Sequence, residues 1–171
     1  LMETLSNPTS KKSYARFCIY SILLLTIFAL NIPNSFSQGT RLWATYLGGS
    51  GDDEQDTQAA GGAQGGHMAL DASGNVYVAG VTHSAAGIAA GGHDNSYSGA
   101  GDAFLAKFDA AGVRLWATYY GAAGGTFSGG VATDASGNVY LVGSTFSTAG
   151  IATAGAYQTV NSGNDVFLVK F

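Results

Sequence analysis

The feature that most constrains this chain is an internal duplication. Residues 71–80, Asp-Ala-Ser-Gly-Asn-Val-Tyr-Val-Ala-Gly, return at 134–143 as Asp-Ala-Ser-Gly-Asn-Val-Tyr-Leu-Val-Gly, an offset of 63. Ala86–Ala89 returns at Ala149–Ala152, and Asp102–Phe108 returns at Asp165–Phe171, both at that offset. Arg-Leu-Trp-Ala-Thr-Tyr at 41–46 reappears unchanged at 114–119, offset by 73. The ten extra residues fall in one connection, between Tyr46 and Asp71, where a repeat architecture tolerates an insertion.

Each copy divides into short β-forming runs. A first strand ends at Met68–Asp71, or Val131–Asp134, and Ala-Ser-Gly-Asn then turns the chain. A second strand is predicted over 75–82 and 138–145. A Gly/Ala/Ser-rich connection of about 19 residues follows, long for a loop inside a domain. A third strand spans 102–109 and 165–171. A fourth spans 114–120, and by identity of sequence 41–46 should be the same strand. High glycine content, 26 of 171 residues, accords with many strands and tight turns.

The strands are apolar on both faces. Val76 and Val78 point one way while Tyr77 and Ala79 point the other. A sheet with one wet face would alternate apolar and charged residues. A sheet sandwiched between copies of itself would not, and radially stacked four-stranded blades satisfy that requirement. The expected fold is therefore all-β, with two four-stranded antiparallel propeller blades over about 41–109 and 114–171.

These residues also carry a resemblance. Leu-Trp-Ala-Thr-Tyr-Leu-Gly-Gly-Ser-Gly-Asp-Asp at 42–53, the Asp-Ala-Ser-Gly-Asn-Val-Tyr-Val-Ala-Gly run and Gly-Asp-Ala-Phe-Leu-Ala-Lys-Phe at 101–108 resemble the SBBP β-propeller repeat of bacterial surface and secreted proteins. The resemblance implies four-stranded blades, often within larger exported proteins, and it implies no reaction. A closed propeller takes four or more blades, and two are expected here. The chain is then a segment of a longer array, the favoured expectation, or a unit that self-associates to close a ring.

Residues 1–37 read as a secretory signal peptide. Lys11, Lys12 and Arg16 precede an uncharged apolar run over 17–30, and Ser35 and Ser37 flank Phe36 as a small-x-small cleavage site. Fourteen apolar residues fall short of the ~20 that span a bilayer, so no mature membrane span is expected and the product is secreted or displayed at the outer surface. The only cysteine, Cys18, lies inside this segment, so residues 38–171 rely on packing without disulfides. They hold four basic and ten acidic residues, a net charge of −6, which repels phosphate backbones and disfavours nucleic acid.

Candidate chemistry is sparse. The Asp71–Asn75 and Asp134–Asn138 runs lack the alternating oxygen ligands and closing Glu of a calcium loop, and read as Asx-type turns. The acidic run Asp52-Asp53-Glu54-Gln55-Asp56 is the best place for calcium, but its counterpart, Ala122–Gly125, is not acidic, and a solvated loop is expected. His67, His83 and His93 show no ligand spacing and read as surface or loop residues. Gly61–Gly66 lacks the Lys-Ser/Thr and helix of a phosphate cradle. Trp43 and Trp116 could stack on sugars, yet their equivalent strand positions favour packing between blades, with a truncation cost of roughly 3–5 kcal/mol. No residue is assigned a catalytic, cofactor or metal role. A non-enzymatic scaffold binding a protein or glycan is expected; the alternatives are a glycan- or calcium-binding module completed by oligomerisation, or a piece of a larger extracellular enzyme.

Overall fold

Two Asp-Ala-Ser-Gly-Asn turns launch the central strands of two separate antiparallel sheets. The computed structural model describes residues 39–54 and 67–171; the expected leader over 1–37, Gln55, Asp56 and Gly61–Gly66 lie outside them. The strands are β1 (Asp53–Glu54), β2 (Met68–Leu70), β3 (Val76–Thr82), β4 (Asp102–Phe108), β5 (Arg114–Tyr120), β6 (Thr126–Thr133), β7 (Val139–Thr145) and β8 (Asp165–Lys170). No helix long and apolar enough to cross a membrane occurs among the described residues.

In the first sheet β3 pairs β4 and β4 pairs β5, while β1 and β2 share the remaining edge of β3. Asp53 lies opposite Thr82, and Met68 opposite Val78. The sheet is thus four positions wide, one of them divided between two short segments. The second sheet has three strands, ordered β6-β7-β8. The 63-residue repeat survives in the pairing: Leu105 faces Ala79 across β4 and β3, and Leu168 faces Val142 across β8 and β7.

Each turn is built by its first aspartate. Asp71 Oδ1 accepts backbone N–H bonds from Ser73 and Asn75, both 2.9 Å, and Oδ2 accepts from Asn75 Nδ2 at 2.7 Å and Tyr77 Oη at 3.2 Å. Asp134 repeats the pattern with Ser136, Asn138 and Tyr140. Gly74 and Gly137 take φ of 78° and 83°, which a side chain would oppose. The Asx reading of these turns is what the structure shows.

The period-2 pattern puts Tyr77, Ala79, Ala103 and Leu105 on one face of the first sheet, where they pack against Val139, Leu141 and Phe167 of the second. Leu105 and Leu141 have no solvent exposure, and burying each contributes roughly 1.5–3 kcal/mol. Thr133 Oγ1 also donates to the Leu70 carbonyl at 2.7 Å, tying β6 to β2. The opposite face of the first sheet, with Phe104, Ala106, Phe108 and Tyr119, is covered by Leu47, Ile88 and Tyr97.

Two sequence expectations change. Residues 41–46 form no strand, although they match the first six residues of β5, Arg114–Tyr119, letter for letter. The structural units are also out of phase with the sequence copies: β5 completes the sheet of β4 rather than opening the second one. The second sheet therefore has three strands where a four-stranded blade was expected.

A candidate strand-accepting groove

A concave feature lies along the outer edge of β8. In the first sheet the corresponding edge, that of β4, is filled by β5: Phe104 faces Tyr119, Leu105 faces Thr118 and Ala106 faces Ala117. The connection after β3 grips the far side of β5. Ala90 N donates to the Ala117 carbonyl at 2.9 Å, Ala117 N returns a bond to the Ala90 carbonyl at 3.0 Å, and Tyr119 N donates to the Asp94 carbonyl at 2.9 Å. Asp94 N in turn donates to Thr118 Oγ1 at 2.8 Å. β5 is thus held in a slot between a strand and a loop.

The second copy builds the same slot. By the 63-residue offset β8 replaces β4, and Thr153 and Tyr157 stand where Ala90 and Asp94 do. Between them runs a groove of about 610 Å3, lined by Ile151, Thr153, Tyr157, Val166, Leu168 and Lys170 among others. No strand lies on the outer edge of β8 among the described residues. Val166 and Leu168 are 78% and 72% exposed, whereas their counterparts Ala103 and Leu105 are fully buried. Tyr157 is fully exposed on the loop wall. Main-chain donors and acceptors flanked by apolar side chains suit an extended segment.

The other candidates have structural employment. Asp53 does not head a solvated loop: Oδ2 accepts from Gly49 N at 2.6 Å and Ser84 Oγ at 2.9 Å, and Oδ1 from Thr82 Oγ1 at 2.5 Å. The Asp52 carbonyl accepts from His83 N at 2.9 Å. Those bonds give the acidic run a partner strand, and they use Asp53 to anchor the chain. His67, read as a surface or loop residue, lies just before β2 and is buried, and its carbonyl accepts from Ala79 N. His83 and His93 are exposed, and His93 meets the Phe171 ring edge-on at 6.2 Å.

The two tryptophans part company. Trp116 packs against the core between the sheets, edge-on to Tyr77 with centroids 6.2 Å apart. Trp43 is 39% exposed, leans on the β4–β5 turn and donates from Nε1 to the Ala110 carbonyl at 3.2 Å. Packing between blades therefore describes Trp116 but not Trp43.

Sequence reasoning passed over Asp102. Its carboxyl is fully buried, and burial pushes its pKa up against the opposing hydrogen bond from Ser98 N to Oδ2 at 2.7 Å. A Cβ on Gly121 would sit 2.1 Å from Oδ1, so the close approach of that glycine shapes the pocket around the acid. The signal was its place at the head of the duplicated Asp-x-Phe-Leu-x-Lys-Phe run.

Two repeated antiparallel sheets, stacked through apolar faces and entered through matching turns, define a β-propeller-type repeat protein. Residues 42–88 and 115–148 match the SBBP β-propeller repeat. No curated protein matches the chain.

Proposed function

We propose that this chain is an exported, non-enzymatic propeller segment that serves as an interaction surface, presented by the long connections after β3 and β7. The observation that carries the reading is the exposure of Phe146, Tyr157 and Val160 on the connection between β7 and β8. Apolar and aromatic side chains standing in solvent suit a protein partner. Export rests on the basic and apolar pattern over 1–37, and a secreted or surface location agrees with it.

Titrating labelled protein by NMR with an extended apolar peptide, with soluble glycans and with calcium tests this reading. Amide shifts in the connection over 146–164, produced by the peptide, support it. Saturable shifts produced by glycan or calcium alone, centred on Trp43 or on Asp52 and Asp53, contradict it.

A further inference from the structure

We infer that the loop over 94–102 is a calcium site, with Asp94, Ser96, Ser98 and Asp102 supplying its side-chain oxygens. The inference goes beyond the interaction surface proposed above and does not depend on it. The spacing of the loop and a buried carboxyl oxygen without a donor carry it.

The run Asp94-Asn95-Ser96-Tyr97-Ser98-Gly99-Ala100-Gly101-Asp102 puts oxygen side chains at its positions 1, 3, 5 and 9, and glycine at 6. Calcium loops place ligands at such alternate positions, take a main-chain carbonyl at 7 (here Ala100) and need glycine at 6 for a sharp turn. Gly99 makes that turn with φ of 108°. Ser96 N donates to Asp94 Oδ1 at 2.8 Å, curling the start of the loop around the first carboxyl. Ser98 N donates to Asp102 Oδ2 at 2.7 Å, which brings the fifth position onto the ninth. An all-oxygen set without Cys or His suits calcium rather than zinc.

Asp102 supplies the second observation. It has no solvent exposure, and its Oδ1 has no hydrogen-bond donor among the described residues. A buried carboxylate oxygen left bare is costly, and a cation is the partner that removes the cost. Burial pushes the Asp102 carboxyl up, the Ser98 bonds oppose it, and the Asp94 charge adds to the rise, so the two carboxylates stand close enough to repel. Gly121 leaves the space beside the free oxygen, since a Cβ there would stand 2.1 Å from Oδ1.

The loop is anchored at both ends. Asp94 N donates to Thr118 Oγ1 at 2.8 Å and its carbonyl accepts from Tyr119 N at 2.9 Å, while the Gly101 carbonyl accepts from Thr126 N at 2.9 Å. Calcium held by Asp94 and Asp102 therefore ties β5 to the first residue of β4 and stiffens the connection after β3. The second copy does not repeat the site. At the 63-residue offset Tyr157, Thr159 and Asn161 replace Asp94, Ser96 and Ser98, and Asp165 Oδ2 accepts from Gln158 Nε2 at 3.0 Å. With two carboxylates the dissociation constant belongs in the weak range, roughly 10⁻⁴–10⁻³ M.

The test titrates the full chain with calcium chloride and with magnesium chloride, following amide shifts by NMR and the thermal unfolding midpoint. Calcium should give saturable shifts over 94–102, none over 157–165, and a higher midpoint, with magnesium about tenfold weaker because it sheds its waters reluctantly. Asp94→Asn keeps an oxygen for the Ser96 N–H, so the calcium-free midpoint should hold while calcium affinity falls by about tenfold or more. Ser98 is exposed, and Ser98→Ala should also weaken calcium while keeping the fold. No saturable shift over 94–102 up to about 20 mM calcium, well above the weak range, would overturn the site. So would equal shifts over 157–165, or an affinity unchanged in Asp94→Asn. Peptide-induced shifts over 146–164 report on the interaction surface separately, so failure of either leaves the other standing.

Discussion

Tyr120 at the end of β5 rests against Phe167 of β8, ring centroids 5.1 Å apart, and donates from its hydroxyl to the Ile151 carbonyl at 2.8 Å. One residue thereby joins the last strand of one sheet to the edge strand and long connection of the next. Burial raises the Tyr120 pKa, as expected for a phenol held in an apolar contact. Phe171 closes the cluster, edge-on to the same ring at 5.9 Å.

The duplicate leucines make the clearest stability test. Leu105 is fully buried and Leu168 is 72% exposed, although they occupy equivalent positions. Leu105→Ala should lower unfolding free energy by about 2–5 kcal/mol, the range for a buried leucine. Leu168→Ala should change it by less than about 0.5 kcal/mol in the monomer. Urea unfolding of dilute protein, followed by tyrosine and tryptophan fluorescence, measures both.

Backbone proximity predicts a second loss. A Cβ on Gly143 would lie 2.0 Å from the Phe127 carbonyl oxygen and 2.7 Å from the Phe167 ring. Gly143→Ala must therefore push β6 and β8 away from β7, at a cost of about 1–3 kcal/mol by analogy with overpacked cores. Gly163 has nothing within 4 Å of its would-be Cβ, and Gly163→Ala should be close to neutral. Thermal unfolding of the two variants side by side separates the outcomes.

How much of this was legible in the sequence follows from what each residue needs. The Asp71 and Asp134 turns were readable because their bonds are local, within six residues. β3, β4, β5, β7 and β8 were readable to within a residue because two-faced apolar runs flanked by turns leave few alternatives. Residues 41–46 misled because a strand is defined by its neighbour: the same letters form β5 only where β4 and the loop at Ala90 and Asp94 lie on either side. The pairing of Asp53 with Thr82 was hidden by an acidic run that looks like solvent-facing chain. The groove itself was hidden because it depends on which strand lies beside β8, a relation between copies rather than a motif within one.

Acid should weaken the fold through its turns. Asn75 and Asn138, with the backbone N–H groups and tyrosines around them, hold the Asp71 and Asp134 carboxyls down to about 2, from 3.8. Because the folded value is the lower one, this stabilisation is complete above pH 3.8 and is lost as pH falls toward 2. The Lys107 ammonium, 3.7 Å from Asp71 Oδ2, loses its counterion over the same range. NMR titration of the two carboxyls should give midpoints near 2, and Asp71→Asn with Asp134→Asn should flatten the stability profile between pH 2 and 4.

The central claim is that the duplicated stretches are two sheets stacked through Leu105 and Leu141, so that neither is stable alone. Residue-resolved amide hydrogen exchange, with and without Leu141→Ala, tests it most directly. The account predicts that amides in the middle of β3, β4 and β7 are among the slowest to exchange, and that the substitution accelerates exchange in both sheets together. Fast exchange in β7 beside slow exchange in β4, or acceleration confined to the second sheet, would contradict it.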